Sequence, residues 1–260
     1  MEVTHTFVVL GYGESQYLET CIQSVMNQKH KSDIVIATST PNEYISAIAE
    51  KYHLPVLVNS KREGIGTDFE FARTCVDSNL VTIAHQDDVY EYEYGQAVMN
   101  AHRYNPNSSI IFSDYFEIRE NERVFKNLNL KIKRILLLPI QLFGRTQFTK
   151  RLSLSFGDPI CCPAVTFVNH NIDIQVFDNH FKCDVDWDAW EKLSKQKGRF
   201  VFIKNCLMGH RVHEESTTTE IISDNIRTIE DFEVLQRFWP KCIAKCINRL
   251  YVKSENSNQV

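Results

Sequence analysis

At 260 residues, with 43% hydrophobic and 24% charged side chains, the chain is long enough to bury one large core and too short for two equal domains. Its formal net charge of -4 argues against a general nucleic-acid binder, which needs excess positive charge to displace counterions from phosphates. Eight cysteines scattered without a repeated CxxC, an N-terminus without the basic and apolar regions of a secretory leader, and no run of about 20 apolar residues predict a reduced, cytoplasmic protein.

The first 112 residues alternate short β-branched runs with helical periods, the pattern of a parallel sheet covered by crossover helices. Phe7 to Leu10 predicts a buried strand, followed by a Gly11/Gly13 turn. Tyr17, Leu18, Cys21, Ile22, Val25 and Met26 then form one apolar helical stripe. Ile34 to Ala37 is a second strand. Pro41 suits the start of a helix whose inward face is Tyr44, Ile45, Ile48, Ala49 and Tyr52. Val56 to Val58 is a third strand. A helix is expected from about Asp68 to Ser78, a fourth strand from Leu80 to Ala84, a further helix around Tyr94 to Ala101 and a strand at Ile110 to Phe112.

From Arg119 to about Phe156 the chain is less regular and locally basic, around the apolar run Ile135 to Ile140. A solvated helix with a buried stripe explains that composition. So does a flap over an acceptor, or a patch that touches anionic lipid. A helix is expected over Asp184 to Lys197 and a strand at Phe200 to Ile203. The polar cluster His210 to Thr217 reads as a loop, and two helices broken at Trp239-Pro240 close the chain.

The sharpest local feature is His85-Gln86-Asp87-Asp88, placed where the fourth strand ends. Ligands of open α/β sheets bind beyond such carboxyl ends. Two adjacent carboxylates repel, and a divalent cation carrying a diphosphate is one natural partner for them. An exposed acidic turn is the plainer alternative. Asp184, Asp186 and Asp188 form a second acidic group. On a helix, Asp184 and Asp188 share a face and Asp186 points elsewhere, although acidic side chains also favour a helix N-terminus for its dipole alone.

Taken in order, FVVLGYGES, AHQDDVYEYEY, DVDWDAWEKL and HRVHEESTT resemble the family-2 inverting glycosyltransferases of the GT-A fold over about residues 5 to 218. That resemblance implies an α/β fold with a mostly parallel central sheet flanked by helices and a C-terminal helical extension. It places a catalytic domain at 1–220, with a donor-binding half to about 115 and an acceptor half over 116–220. The extension and tail occupy 221–260. It implies a hexosyl-type transferase that uses a nucleoside-diphosphate sugar, most readily a UDP-sugar, together with Mn²⁺ or Mg²⁺. The acceptor would be a glycan or a lipid-linked glycan in cell-surface polysaccharide synthesis. Contact with the inner face of the membrane and a homodimer both stay open.

Residue by residue, the resemblance makes Asp186 the general base, and Asp88 with His213 the metal ligands. Gly11, Tyr12, Gly13, Thr38, Arg62, Gly64, Asp68, Gln86, Asp87 and Arg211 would line the nucleotide-sugar. His85, Asp188 and Ser216 would support the site from behind. The chain departs from the pattern after the second strand, where Ala37-Thr38-Ser39-Thr40 stands in place of an acidic turn that contacts the base, and at Thr74, where asparagine is usual. A non-catalytic nucleotide- or glycan-binding protein of the same fold is the alternative reading. A metal-dependent hydrolase built on His85, Asp87, Asp88 and His213 is a third, which the order of the segments does not favour.

Overall fold

The computed structural model describes residues 3–212 and 226–257, with side chains described as far as residue 250. The N-terminal half is β1 (His5–Leu10), α1 (Leu18–Met26), β2 (Asp33–Thr38), α2 (Glu43–Tyr52), β3 (Val56–Val58), α3 (Ile65–Thr74) and β4 (Leu80–His85). These strands lie side by side in the order β3-β2-β1-β4, all parallel, with Val8 opposite both Val35 and Ile83. Covered on both faces by helices, β1 and β4 become almost continuous apolar runs, which is why they are legible without alternation.

Two helix starts differ from expectation for local reasons. Pro41 lies before the helix it introduces, because Asn42 is the cap and accepts a hydrogen bond from the Ile45 amide at 2.8 Å. The helix expected from Asp68 begins three residues earlier, after Gly64 at φ +137°, a conformation that favours glycine. Gly66 explains the early start. A Cβ there would stand 1.9 Å from the Asp178 carbonyl oxygen, so the first turn of α3 packs directly under that backbone.

The second half runs through β5 (Val89–Tyr90), α4 (Tyr94–Tyr104), β6 (Ser108–Arg119), β7 (Glu122–Val124), α5 (Leu128–Leu136), α6 (Leu138–Phe143) and α7 (Gln147–Leu154). It continues with β8 (Val165–Val168), α8 (Val185–Lys195), β9 (Arg199–Arg211), α9 (Ile226–Gln236) and α10 (Lys241–Ser257). The sheet extends from β4 as β8-β6-β9-β5. The β4/β8, β8/β6 and β9/β5 pairs are antiparallel and β6/β9 is parallel, so the nine-stranded sheet is parallel at one end and mixed beyond β4. The expected strand at 110–112 extends to twelve residues and crosses the division placed near 115.

The expected strand at 200–203 is thirteen residues long and carries His210 and Arg211, which the sequence assigned to a loop. Their polarity concealed a strand that pairs with Glu117 and Ile118 of β6. Trp187 and Trp190 of α8 are buried on one face of the sheet, with Phe167 and Phe177 beside Trp190. Each such indole removes enough surface from water to contribute roughly 4 kcal/mol. Val234, Leu235 and Ala244 join that same core, so α9 and α10 pack onto the main body.

Candidate active site

β4 delivers His85 to the carboxyl edge of the sheet, where the chain turns through a hydrogen bond from the Asp88 amide to the His85 carbonyl at 3.1 Å. The Cys21 thiol donates to the same carbonyl at 3.2 Å. The turn sends Asp88 inward. Its side chain is fully buried, its Oδ1 accepts from the Arg211 amide at 2.8 Å, and His210 Nδ1 lies 3.1 Å from that oxygen and 3.4 Å from Oδ2. Burial lowers the proton affinity of His210, but the charge and hydrogen bond of Asp88, helped by Asp87, raise it further, and the net shift is upward. The acidic turn is thereby clamped to β9.

Arg211 closes the clamp. Its Nε donates to the Asp87 carbonyl at 3.0 Å and Nη1 to Asn121 Oδ1 at 3.3 Å, while its guanidinium lies 4.2 Å from the Tyr17 ring centroid. Gln86 ties the turn to the first loop, accepting from the Tyr12 amide at 2.9 Å and donating to the Tyr12 carbonyl at 3.1 Å. Gly13, at φ +57°, donates its amide to Thr40 Oγ1 at 2.9 Å and accepts from Asn42 Nδ2. The loops after β1, β2 and β4 are therefore one hydrogen-bonded unit.

At the end of β2 the missing acid arrives from another element. Ser39 donates to Asp68 Oδ2 at 2.7 Å and Asn59 donates to Asp68 Oδ1 at 2.8 Å, so α3 brings a carboxylate to the strand end where the sequence has only hydroxyls. Thr38 is buried and accepts from the Thr40 amide at 3.0 Å, which shapes the turn. Gly11 sits beneath the loop, its amide bonded to the Ala37 carbonyl. Arg62 is exposed on the segment that links Asn59 to Gly64.

Asp186 lies in the first turn of α8, its Oδ1 accepting from the Trp187 amide at 2.9 Å. Its charge acts on the carboxyl of Asp158, a residue the sequence gave no reason to single out. Burial first, and then the charge of Asp186, push the Asp158 carboxyl well above the usual range. Lys133 faces them. Burial disfavours its charge, but Tyr115 and Asp158 outweigh that and its proton affinity rises. His85 is half-buried and stacked on Phe69 with ring centroids 5.1 Å apart. Burial lowers its proton affinity against the opposing pull of Asp88, Asp87 and Asp186, and Nε2 has no hydrogen-bond partner. The charges of both acidic groups therefore act on its ring.

The remaining acids of α8 face away from Asp158. Asp188 is buried against Arg237 and Lys192, with Lys192 Nζ at 2.6 Å. Asp184 feels Asp231 and Arg227 on α9. Glu230 of α9 accepts from the amides of Lys182, Cys183 and Asp184 at 2.7 to 3.1 Å and so anchors the entry to α8. Asp158, Lys133 and Glu230 are the residues that sequence reasoning missed or left without a role. The Gly157-Asp158-Pro159 turn carries no periodicity, and only the fold brings it to α8.

His213 and Ser216 lie outside the described residues. Among the described residues no three His, Cys, Asp or Glu side chains converge as a metal site. Asp88 and His210 offer an oxygen and an imidazole nitrogen, but these are bonded to each other at 3.1 Å. A divalent ion would use the two only by replacing the proton they share.

A family model described as Glycosyl transferase family 2 matches residues 6–177. No curated protein matches the chain in sequence. Among solved structures, S. aureus TarS 1-349 superposes with a TM-score of 0.64 at 13% identity, covering 95% of this chain and 69% of that one. The same protein in complex with UDP-GlcNAc gives 0.62 at 14% identity, over 96% and 72%. The mannosyltransferase PcManGT from Pyrobaculum calidifontis, in complex with GDP-Man and Mn²⁺, gives 0.65 at 13% identity, over 95% and 70%. The fold is the GT-A fold expected from the order of the motifs.

Proposed function

The chain belongs to glycosyl transferase family 2, and from that premise we propose that it moves one sugar from a nucleoside diphosphate to an acceptor hydroxyl with inversion at the anomeric carbon. The observation that carries this reading is the position of Asp186 in the first turn of α8, where its charge acts on His85, as those of Asp87 and Asp88 do, and on Asp158. In-line displacement needs a base on one side of the reacting carbon and charge stabilisation on the other. Asp186 would take the acceptor proton as its oxygen attacks. Lys133 would offset negative charge around the two carboxyls.

On the donor side, Asp68 with Ser39 and Asn59 offers a polar cradle at the carboxyl end of β2, where the base and ribose would lie. Gln86 and Tyr12 fix the floor below the sugar. Arg211, already aimed across Asp87, would bond the diphosphate together with His213, and Ser216 would back that loop. Asp88, His210 and His213 would hold Mn²⁺ or Mg²⁺. That ion would neutralise charge on the departing diphosphate. TarS with UDP-GlcNAc and the mannosyltransferase with GDP-Man and Mn²⁺ support both the donor class and the metal. A UDP-sugar donor, and a growing cell-surface glycan on a lipid carrier as acceptor, complete the proposal. The described residues hold no helix long and apolar enough to cross a membrane, so cytoplasmic action would require the acceptor to be reached from the membrane face.

One observation favours a second reading. The Asp88 carboxylate is fully buried and already bonded to His210 and Arg211, so it has little left to offer a metal, which suits nucleotide binding without sugar transfer. Release of nucleoside diphosphate from a panel of UDP- and GDP-sugars, followed with and without Mn²⁺, separates the two. Metal-stimulated release above the no-enzyme rate supports transfer. Binding without release supports the second reading.

A further inference from the structure

Between Arg123 and Gly157 the chain has eight lysines and arginines and no aspartate or glutamate, in a protein whose overall charge is -4. The inner sides of α5, α6 and α7 account for part of this. Leu130, Leu137, Ile140 and Leu154 are buried in the core, Lys133 reaches Asp158, Arg134 pairs with Asp114 at 2.7 Å, Arg151 pairs with Glu191, and Lys150 Nζ donates to the Gln196 and Gly198 carbonyls past the end of α8. One apolar face for each helix is what packing requires.

These helices have a second one. Leu128, Ile132 and Ile135 repeat at i, i+4 and i+7 on α5, all exposed. Leu138 and Leu142 repeat at i and i+4 on α6 with Phe143 beside them, and Phe148 and Leu152 repeat at i and i+4 on α7. Leu142, Phe143 and Phe148 expose 70%, 66% and 73% of their surface. Single exposed apolar residues need no explanation, but eight at helical spacing within 25 positions mark an interaction surface. Lys126, Lys131 and Arg145 are exposed among them.

We propose that the outer face of α5, α6 and α7 docks on an anionic lipid surface, with the leucine and phenylalanine side chains entering the headgroup boundary and Lys126, Lys131 and Arg145 meeting lipid phosphates. A second copy of the chain fits this face less well. A two-fold contact sets a patch against itself, and this one would set lysine and arginine against lysine and arginine with no acid from 123 to 157 to pair them. Anionic lipid supplies the missing charge and accepts the apolar side chains together. Because the inner side of α5 places Lys133 beside Asp158, docking would bring the acceptor side of the site to the membrane. That last step rests on the transferase reading above, and the docking itself does not.

The test is co-sedimentation of the full chain with vesicles of phosphatidylcholine alone and with equal parts phosphatidylcholine and phosphatidylglycerol. The expected result is binding to the anionic vesicles at least about tenfold tighter than to the neutral ones, weakening as salt rises. Leu142→Ser/Phe143→Ser/Phe148→Ser should lose that binding, and Lys126→Glu/Lys131→Glu/Arg145→Glu should lose the preference for anionic lipid. Both should keep the parent melting temperature and the parent rate of diphosphate release in solution. Absence of wild-type binding to either vesicle overturns the proposal, as does unchanged binding by the serine variant. A concentration-dependent dimer that the serine variant abolishes, without vesicle binding, assigns the face to a second copy instead. Vesicle binding by a chain that releases no diphosphate would retain docking and remove the transferase reading.

Discussion

At the end of β2, Asp68 is held by two neutral donors, Ser39 at 2.7 Å and Asn59 at 2.8 Å, whereas at the start of α8 Asp186 meets a second carboxyl, Asp158, with Lys133 as their nearby cation. The first arrangement is complete without a ligand. The second is in electrostatic conflict, and the fold maintains it by packing the Trp187 and Trp190 helix against the core. A carboxylate that orients a bound group needs a fixed geometry and gains from being satisfied in advance. One that accepts a proton needs a position within reach of the attacking hydroxyl. On the proposed reading the contrast would set a donor-binding end against a reacting end.

The strongest challenge to that division is Asp186→Asn. It should leave donor binding by calorimetry unchanged and lower turnover by about 10²-fold or more. Retained turnover would take the base from Asp186. Gly66→Ala comes next, because its Cβ would meet the Asp178 carbonyl at 1.9 Å and would have to push α3 and Asp68 outward. The expected loss is about 1 to 3 kcal/mol, read as a melting temperature lower by several degrees. An unchanged melting temperature would mean that α3 is not locked to the 178–179 segment. Asp68→Ala should raise KM for the donor about tenfold with little change in kcat, since it removes a contact that is the same in the ground and transition states. An equal fall in kcat would place Asp68 in the chemistry.

Asp158→Asn has the smallest expected effect and an informative sign. The folded protein holds the Asp158 proton more tightly than the unfolded chain does, so stability falls as pH rises from the ordinary carboxyl range of about 4 toward the raised folded value. The asparagine variant has no such proton to lose. It should melt a few degrees above the parent at pH 8 and at nearly the same temperature near pH 4. Asp184, also raised by burial and by Asp231, keeps part of the slope in both proteins. A variant that melts lower than the parent at pH 8 would show that the Asp158 carboxylate is stabilising there.

The parallel half was legible because buried strands and their crossover helices print strong periods, and β1, β2, β3 and β4 fall where the β-branched runs predicted them. The mixed half was legible in part: α4, α8 and the cores of β6 and β9 fall where expected, but β9 carries its polar residues His210 and Arg211 inside a strand, and β8 is only four residues long. Composition marked the basic segment and the acids of α8, yet it could not distinguish Asp186, which meets Asp158, from Asp188, which is spent on Arg237 and Lys192. The acid absent after β2 looked like a lost contact. Three-dimensional proximity, which spacing cannot express, supplies one from Asp68, 29 residues on from Ser39.

Donor recognition is the central claim, and thermal unfolding of the full chain with nucleoside diphosphates and their sugars, in the presence and absence of Mn²⁺, tests it most directly. A ligand that binds only the folded state raises its stability with concentration, by about 2.7 kcal/mol at a hundred times its Kd, and the melting temperature rises accordingly. The account predicts a Mn²⁺-dependent rise for one nucleoside diphosphate and its sugar, and none for the free sugar. No rise with any nucleotide, with or without the metal, would contradict it.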